Sequence, residues 1–395
     1  MAKELKHIPN LRFPEFRDSG EWELKTLNKI TSSIFDGTHQ TPQYVEKGVP
    51  FFSVENLVSN AKNRFISQED YNIATAKNKP EKGDVLLTRI GNIGFSSIVS
   101  WDYDFSIYVT LACIKSSSSF NSYFLHSFFQ TNWYQKEITS KSLLTAVPCK
   151  INMKELKSTK VLLPPSPQSI KEQSKIADCI FSLDNYINAT QKKIELLQAH
   201  KKGLMQQLFP SLGEDMPKLR FPEFKKRWKI VKLKTICHIV NGKANTQDHH
   251  KNGKYPLFDR SALIKASDEY LFDAEVVIIP GEGVRFIPKY YNGKFNLHQR
   301  AYALKDFTCN ALFVYYIMQQ KANLLAQKAV QSTVLSLRLP ILQEFAIELP
   351  TEIDEQKRIA ECFASSDKLI AKTKQKLIVL QSHKHGLMQQ LFPII

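Results

Sequence analysis

The sequence predicts an α+β protein: two pseudo-symmetric, strand-rich α/β domains separated by two long antiparallel helices that form a coiled coil. Three observations lead there. The octapeptide Gly203-Leu204-Met205-Gln206-Gln207-Leu208-Phe209-Pro210 returns unchanged 183 residues later (386 − 203) as Gly386-Leu387-Met388-Gln389-Gln390-Leu391-Phe392-Pro393. The hexapeptide Leu11-Arg12-Phe13-Pro14-Glu15-Phe16 returns as Leu219-Arg220-Phe221-Pro222-Glu223-Phe224. A long apolar pattern of strict helical spacing precedes each octapeptide. Repeats of this kind decide the architecture before any finer reading. They divide the chain into a first domain (1–166), a central spacer helix (167–209), a linker (210–226), a second domain (227–350) and a closing spacer helix (351–395).

Size and charge narrow the class. The 395 residues are 43% apolar and 23% charged, as expected of a globular protein with cores. The formal net charge of +16 points to a polyanionic partner, nucleic acid first. A membrane surface is the competing reading, but it needs a basic amphipathic helix or a lipid anchor, and neither stands out. The N-terminal segment Met1–His7 has charges and no apolar core, so no signal peptide is expected. No apolar run reaches spanning length. Six scattered cysteines without CxxC spacing fit reduced thiols in the cytoplasm, and no zinc site is expected.

In chain order, the prolines keep each hexapeptide extended. Trp22, Leu27 and Ile30 recur at the same spacing as Trp228, Leu233 and Ile236, so they should anchor the first element of each domain. Short apolar runs bounded by turn residues follow, such as Val49–Phe52, Gly83–Thr88 and Ile98–Trp101, and they read as strands. Ala274–Ile279 takes the place of Gly83–Leu87 in the second domain. One helix is expected over 122–138 and its counterpart over 311–326. Ser169-Ile170-Lys171-Glu172 reads as a capping box that opens the first long helix, and Thr351-Glu352-Ile353-Asp354 as another.

The helices carry the clearest pattern. Ile176, Ile180, Leu183, Ile187, Thr190, Ile194, Leu197, Lys201, Leu204 and Leu208 alternate spacings of four and three, and all ten positions recur at +183. Even the interruptions match, Thr190 with Thr373 and Lys201 with Lys384. A sustained a/d repeat predicts a coiled-coil seam. Connectivity makes the pair antiparallel, puts the two domains at opposite ends of the spacer, and brings the closing octapeptide back to the first hexapeptide. Gly203 and Gly386 are candidate kinks.

These features together resemble the specificity subunit of Type I restriction–modification systems, over essentially the whole chain. The first domain adds stretches similar to that family's target recognition domains: Asp36–Pro42, Pro50–Leu57 and Gly83–Gly94. The resemblance implies a non-catalytic reader of double-stranded DNA. Each recognition domain would contact one half of a bipartite site, and the helices would set the gap. Two methyltransferase (modification) subunits would dock on it, followed by two restriction subunits. Adenine methylation and ATP-dependent cleavage would rely on S-adenosylmethionine, ATP and magnesium held by those partners, with no cofactor in this chain.

The residues agree with that division of labour. There is no Asn/Asp-Pro-Pro-aromatic motif, no GxGxxG opening a helix and no GxxxxGK[ST]. Asp248-His249-His250 is the nearest approach to a metal cluster and reads as a polar loop. Arginine matches guanine, and asparagine or glutamine matches adenine, with paired hydrogen bonds. The candidate base readers are therefore loop residues: Thr38, His39, Gln40, Arg89 and Asn92 in the first domain, and Lys243, Asn245, Gln247, Arg285, Gln299 and Arg300 in the second. Lys141, Lys150 and Arg338, just before the helices, are candidate phosphate contacts. Met205, Phe209, Met388 and Phe392 lie off the seam and are candidate contacts for the methyltransferase. The competing functions are a self-contained nuclease or modification enzyme with a non-standard site, and a coiled-coil scaffold.

Overall fold

The computed structural model describes residues 7–59, 64–211, 213–331 and 334–393. They form two compact units: the residues up to Thr190 with those from Lys376 onward, and Gln191–Gln375. Each unit thus holds one domain and one end of each long helix.

The first unit runs β1 (Glu23–Thr26), β2 (Ile34–Asp36), β3 (Tyr44–Val45), β4 (Val49–Phe52), α1 (Val54–Ser59), β5 (Arg64–Ile66), α2 (Gln68–Thr75) and β6 (Val85–Thr88). It continues with β7 (Ser96–Ile98), β8 (Ser106–Ile107), β9 (Leu111–Ile114), α3 (Ser122–Phe129), α4 (Asn132–Ser140), α5 (Met153–Ser158), β10 (Lys160–Leu163) and the long α6 (Ser169–Leu208). One sheet has the order β2-β9-β6-β7 and a second β3-β5-β4-β8, while β1 pairs with β10. Strand β6 is buried on both faces, and its period of two sorts the core. Val85 and Leu87 face Trp22, Phe124 and Phe128 on the helical side. Leu86 faces Phe52, Phe105 and Ile107 on the other.

The second unit repeats the plan with different residues: β11 (Lys229–Lys232), α7 (Leu233–Ile236), β12 (His238–Asn241), β13 (Tyr255–Phe258), β14 (Lys265–Ser267), β15 (Phe272–Pro280), β16 (Lys289–Leu297) and β17 (Ala301–Lys305). Then come α8 (Ala311–Gln320), α9 (Ala322–Lys328), α10 (Leu339–Gln343), β18 (Ala346–Leu349) and the long α11 (Ile353–Leu391). Its strands join in one sheet, β12-β17-β15-β16-β13-β14, with β11 paired to β18. Strand β15 sits beside β17 as β6 sits beside β9. Ala274–Ile279 therefore does occupy the place of Gly83–Leu87.

Two expected helices are each two. The helix at 122–138 breaks after Phe129, where Thr131 accepts the Tyr134 amide (3.3 Å) and starts α4. A side-chain oxygen at that position ends one helix by opening the next. The helix at 311–326 breaks at Lys321, whose buried ammonium reaches Glu348 at 2.7 Å.

The hexapeptides do not stay extended: the first closes into a 3-10 turn over Pro14–Phe16, and in the second the Phe224 amide returns to the Phe221 carbonyl (3.2 Å), because the fixed proline φ also suits the start of a tight turn. Arg12 forms a two-pronged pair with fully buried Glu172 (2.8 and 2.8 Å), and Arg220 does the same with fully buried Glu355 (2.6 and 2.8 Å). Glu172 is therefore no capping-box residue; it is drawn inward by a guanidinium. The second box fails likewise, since Asp354 turns to Lys357 (3.5 Å) and Thr351 donates to the Arg227 carbonyl (3.3 Å). The following glutamines also repeat. Gln173 accepts the amide of Asn121 (2.9 Å), and Gln356 that of Asn310 (2.8 Å), each at the start of a core helix. The Leu11 amide donates to the Gln390 carbonyl at 2.9 Å, and Leu219 to Gln207 at 2.9 Å. The closing octapeptide of α11 thus meets the first hexapeptide as that of α6 meets the second.

The helices pair antiparallel. In the first unit Ile176 and Ile180 of α6 share a core with Leu391, the last residue of α11, and with Phe392 just beyond it. In the second, Leu208 and Phe209 share one with Ile359 and Phe363. Every seam position is buried or half-buried. The interruptions have physical reasons. Thr190 and Thr373 donate to their own i−4 carbonyls, Tyr186 and Leu369 (both 2.7 Å), so neither hydroxyl is left unmet in the seam. Lys384 pairs with Asp184 and Lys201 with Asp367, both at 2.6 Å, the same contact with the helices exchanged. Both helices run on through Gly203 and Gly386 without interruption.

Beside that pair, α3 places His126 against Ser96 Oγ (2.9 Å) and Gln130 (2.7 Å). Burial, reinforced by Lys384, pushes the imidazole down to about 4. The unfolded chain takes up this proton first, so the stability it carries is full above pH 6.5 and lost as pH falls toward 4. Acid unfolding of the first unit should show a loss of about 2–3 kcal/mol across that window, absent in His126→Gln; an identical pH profile in the variant contradicts it. Glu355→Ala strands Arg220 and the Trp228 indole (3.0 Å) and should cost about 3–5 kcal/mol in urea unfolding; an unchanged midpoint contradicts the anchor.

Candidate nucleic-acid interface

A close approach of two backbones sets each site. Gly37 follows β2 and Gly242 follows β12. A Cβ at either would lie 1.9 Å from a carbonyl oxygen, that of Ile107 or of Leu297. Only glycine lets the chain cross there. The loop then turns and is tied to its neighbour. Thr38 O accepts the Val109 amide (3.0 Å), and Ala244 O accepts that of Gln299 (2.9 Å).

The remaining loops are held by equivalent backbone bonds. Arg89 N reaches Thr110 O (2.9 Å), as Gly281 N reaches Arg300 O (2.8 Å). Ile151 N reaches Arg89 O (2.9 Å), as Leu337 N reaches Gly281 O (2.8 Å). Ile90 bridges Lys150, as Glu282 bridges Ser336. Loops 38–41, 89–92, 108–110 and 143–150 in the first domain are thus matched by 243–247, 281–285, 298–300 and 330–338 in the second. The frame is shared, and the side chains on it are not.

Most sequence-selected residues fall on these loops. In the first domain His39 is exposed and meets Asp36 (3.0 Å), Thr38 Oγ1 donates to the Gln40 carbonyl (3.3 Å), and Gln40, Asn92 and Lys150 are exposed. In the second, Asn245, Gln247, Gln299 and Arg300 line one hollow of about 610 Å³. Lys243, Arg285 and Arg338 are exposed nearby in sequence to the same loops. Lys150, Lys243, Arg285 and Arg338 have no ion pair among the described residues, so their charge is available to a polyanion.

Four selections do not stand as contacts. Arg89 is buried; it pairs with Asp36 (2.9 Å) and donates to the carbonyls of Val109 (3.0 Å) and Ile151 (3.3 Å). It buttresses three loops from beneath. Lys141 is spent on Ser158, donating to its carbonyl at 2.8 Å, with Glu137 at 3.4 Å. Phe209 and Phe392 are core residues: Phe209 stacks on Phe363 (5.4 Å), and Phe392 packs between Trp22 (6.1 Å) and Phe124 (5.5 Å). Leaving the a/d seam turns them into their own domains rather than toward solvent. Met205 and Met388 are only half-buried.

Sequence reasoning missed Glu282, Arg260 and His298, which line the same hollow. Burial pushes the His298 imidazole down, and Asp259 is held at about 2 because Lys265 and Ser261 outweigh the burial that would raise it. For Glu282 the neighbouring arginines were the available signal. Asp248, His249 and His250 turn to separate partners, the Asn245 amide, the Ala266 carbonyl and Asp268. Among the described residues no three His, Cys, Asp or Glu side chains are grouped to hold a metal, and no helix is long and apolar enough to cross a membrane.

One backbone frame used twice, bearing two different loop surfaces and joined to paired long helices, defines a two-module recognition protein. The family model described as the Type I restriction modification DNA specificity domain matches residues 20–199 and again 204–382, and the chain belongs to that family. The Type I restriction enzyme MjaVIII specificity subunit of Methanocaldococcus jannaschii is 23% identical over 98% of this chain and 95% of its own length. The Type I restriction enzyme EcoDI specificity subunit of Escherichia coli is 27% identical over 38% of this chain, a match spanning a third (33%) of that relative. Among solved structures, the Type I restriction–modification S subunit from M. genitalium superposes with a TM-score of 0.68 at 15% identity, covering 98% of this chain and 99% of that one.

Arg89→Ala should lower the stability of the first unit by about 2–4 kcal/mol, because Asp36 and two carbonyls lose their donor. Urea unfolding checks this; wild-type stability with altered DNA preference would restore Arg89 to the readers.

Proposed function

We propose that this chain is the sequence-reading subunit of a Type I restriction–modification complex and performs no chemistry itself. Each domain reads one half of a bipartite double-stranded DNA site, and the helices fix the gap. The observation that carries this is the shared loop frame with unlike side chains, which suits two reads of different sequence from one docking geometry. The uncompensated cations on both loop sets support it. In this reading the complex acts in the cytoplasm. Methyltransferase and restriction subunits bring S-adenosylmethionine, ATP and magnesium.

The methyltransferase subunits dock on repeated, exposed positions of the helices. Gly203 and Gly386 have nothing within 4 Å of a would-be Cβ, so nothing inside the chain requires glycine there. Exposed Leu196 and Val379 precede them by seven residues, on the same face, while the half-buried Met205 and Met388 lie two residues on and lean on the domain cores. Met388 also edges a hollow of about 430 Å³ with Trp133. A partner backbone passing close to the helix supplies the missing reason.

Two tests follow. Gly386→Ala should stabilise the isolated chain by roughly 0.8–1.0 kcal/mol through helix propensity, yet weaken methyltransferase binding; unchanged binding removes the docking assignment. Inserting one heptad in each helix adds about 10 Å and should lengthen the gap by about three base pairs with both half-sites kept. An altered half-site with the old gap contradicts the ruler. DNA cleavage or methylation by the purified chain alone decides for the self-contained enzyme instead.

A further inference from the structure

The hollow of the second domain holds two polar pairs whose unused atoms face outward. Gln299 Nε2 donates to Asn245 Oδ1 at 2.7 Å, and both residues are exposed. That bond consumes one donor and one acceptor. It leaves the Asn245 amide nitrogen as donor and the Gln299 carbonyl as acceptor. The orientation is set locally: the Asn245 side-chain oxygen also accepts the backbone amide of Asp248, which holds its NH2 on the other side. The pair is anchored from behind through its backbone: the Asn245 backbone N–H donates to the Asp248 carboxylate (2.7 Å), and the Asn241 side chain donates to the Gln299 backbone carbonyl (3.4 Å).

Beside it, Arg300 gives one guanidinium nitrogen, Nη1, to both oxygens of Glu282 (2.8 and 3.0 Å). The edge formed by Nε and Nη2 has no other partner among the described residues. Arg260 stands 3.7 Å from the same carboxylate, offsetting its charge. Glu282 is mostly covered and fixed in the loop by its bridge to Ser336. Arg300 is thus anchored through Nη1 with two parallel donors free.

The major-groove edges of the bases distinguish these offerings. Adenine presents one acceptor and one donor, guanine two acceptors. Resting on the DNA-reading assignment above, we infer that the second domain reads an adenine with the joined amides of Asn245 and Gln299 and a guanine in the same half-site with Arg300. Glu282 is the positioning residue for Arg300. The first domain does otherwise: the frame positions of Asn245, Gln299, Arg300 and Glu282 are taken there by His39, Val109, Thr110 and Ile90. No amide pair and no guanidinium stands at those places, so its half-site is read by other groups.

The test uses the full chain with its methyltransferase subunit in cells free of other adenine methylation. Methylated sites are mapped genome-wide for wild type, Asn245→Ala with Gln299→Ala, Arg300→Lys and Glu282→Gln. Each good paired contact discriminates by about 1–3 kcal/mol, roughly 5- to 150-fold. The double variant should relax an adenine position by about that factor. Arg300→Lys and Glu282→Gln should both relax one guanine position in the same half, and the other half should keep its sequence in every variant. A wild-type complex that methylates no two-part motif defeats the DNA-reading assignment, and the inference falls with it. A two-part motif unchanged in both halves in all variants, with methylation only uniformly weaker, makes these residues phosphate contacts and defeats the inference alone. Relaxation by Arg300→Lys but not by Glu282→Gln overturns the positioning role.

Discussion

The buried pair between the hexapeptide arginine and the helix glutamate is the contact on which the architecture depends. Arg12 with Glu172, and Arg220 with Glu355, join the hexapeptide that precedes each domain to the start of the long helix that follows it. A carboxylate this deeply buried is tolerable only with a partner that fills both oxygens, and the two-pronged guanidinium does so. Because the contact occurs once per unit, each helix leaves its domain from a fixed base. The glutamine that follows each glutamate then caps a core helix, so the entry of the spacer is locked to the domain core and not merely laid against it.

From that base the chain separates what is kept from what varies. The Lys–Asp pairs across the helices and the octapeptide endings recur residue for residue, and the seam recurs position for position with three residues changed (Ile180/Phe363, Leu183/Ser366, Ile194/Leu377). The sheets recur only in topology, and the outer loops only in backbone hydrogen bonding. Function is placed where the repeat stops being literal. Loops over a rigid strand frame can change side chains without moving the frame, which is the condition for two domains of one plan to read different sequence. Charge follows the same division: Asp36 and Arg89 neutralise each other beneath the loops, while Lys150 and Lys243 stand exposed above them.

Much of this was legible because it depends on periodicity. The heptads follow from spacing and both duplications from identical residues, and every seam position is at least half-buried. What escaped depends on direction in space. Phe209 and Phe392 leave the seam, and sequence cannot say whether that turns them to solvent or into a domain; the aromatic clusters around Trp22 and Phe313 decide for the domain. Arg89 has the chemistry of a base reader and sits in the right loop, yet points down. Glu172 has the spacing of a cap and is claimed by an arginine 160 residues away. The expected single helix over 122–138 breaks at the polar step Gln130-Thr131-Asn132, where Thr131 opens a second helix. Family membership is shown by sequence over both domains; the choice of contacting residues within the loops rests on geometry.

The central claim is that one chain reads two separated sequences through two matched domains. The most direct measurement is the genome-wide map of methylated adenines in cells carrying the wild-type chain with its methyltransferase subunit. The account predicts a single motif of two specified blocks divided by a fixed number of unspecified base pairs. A continuous motif, or two blocks at variable distance, would contradict it.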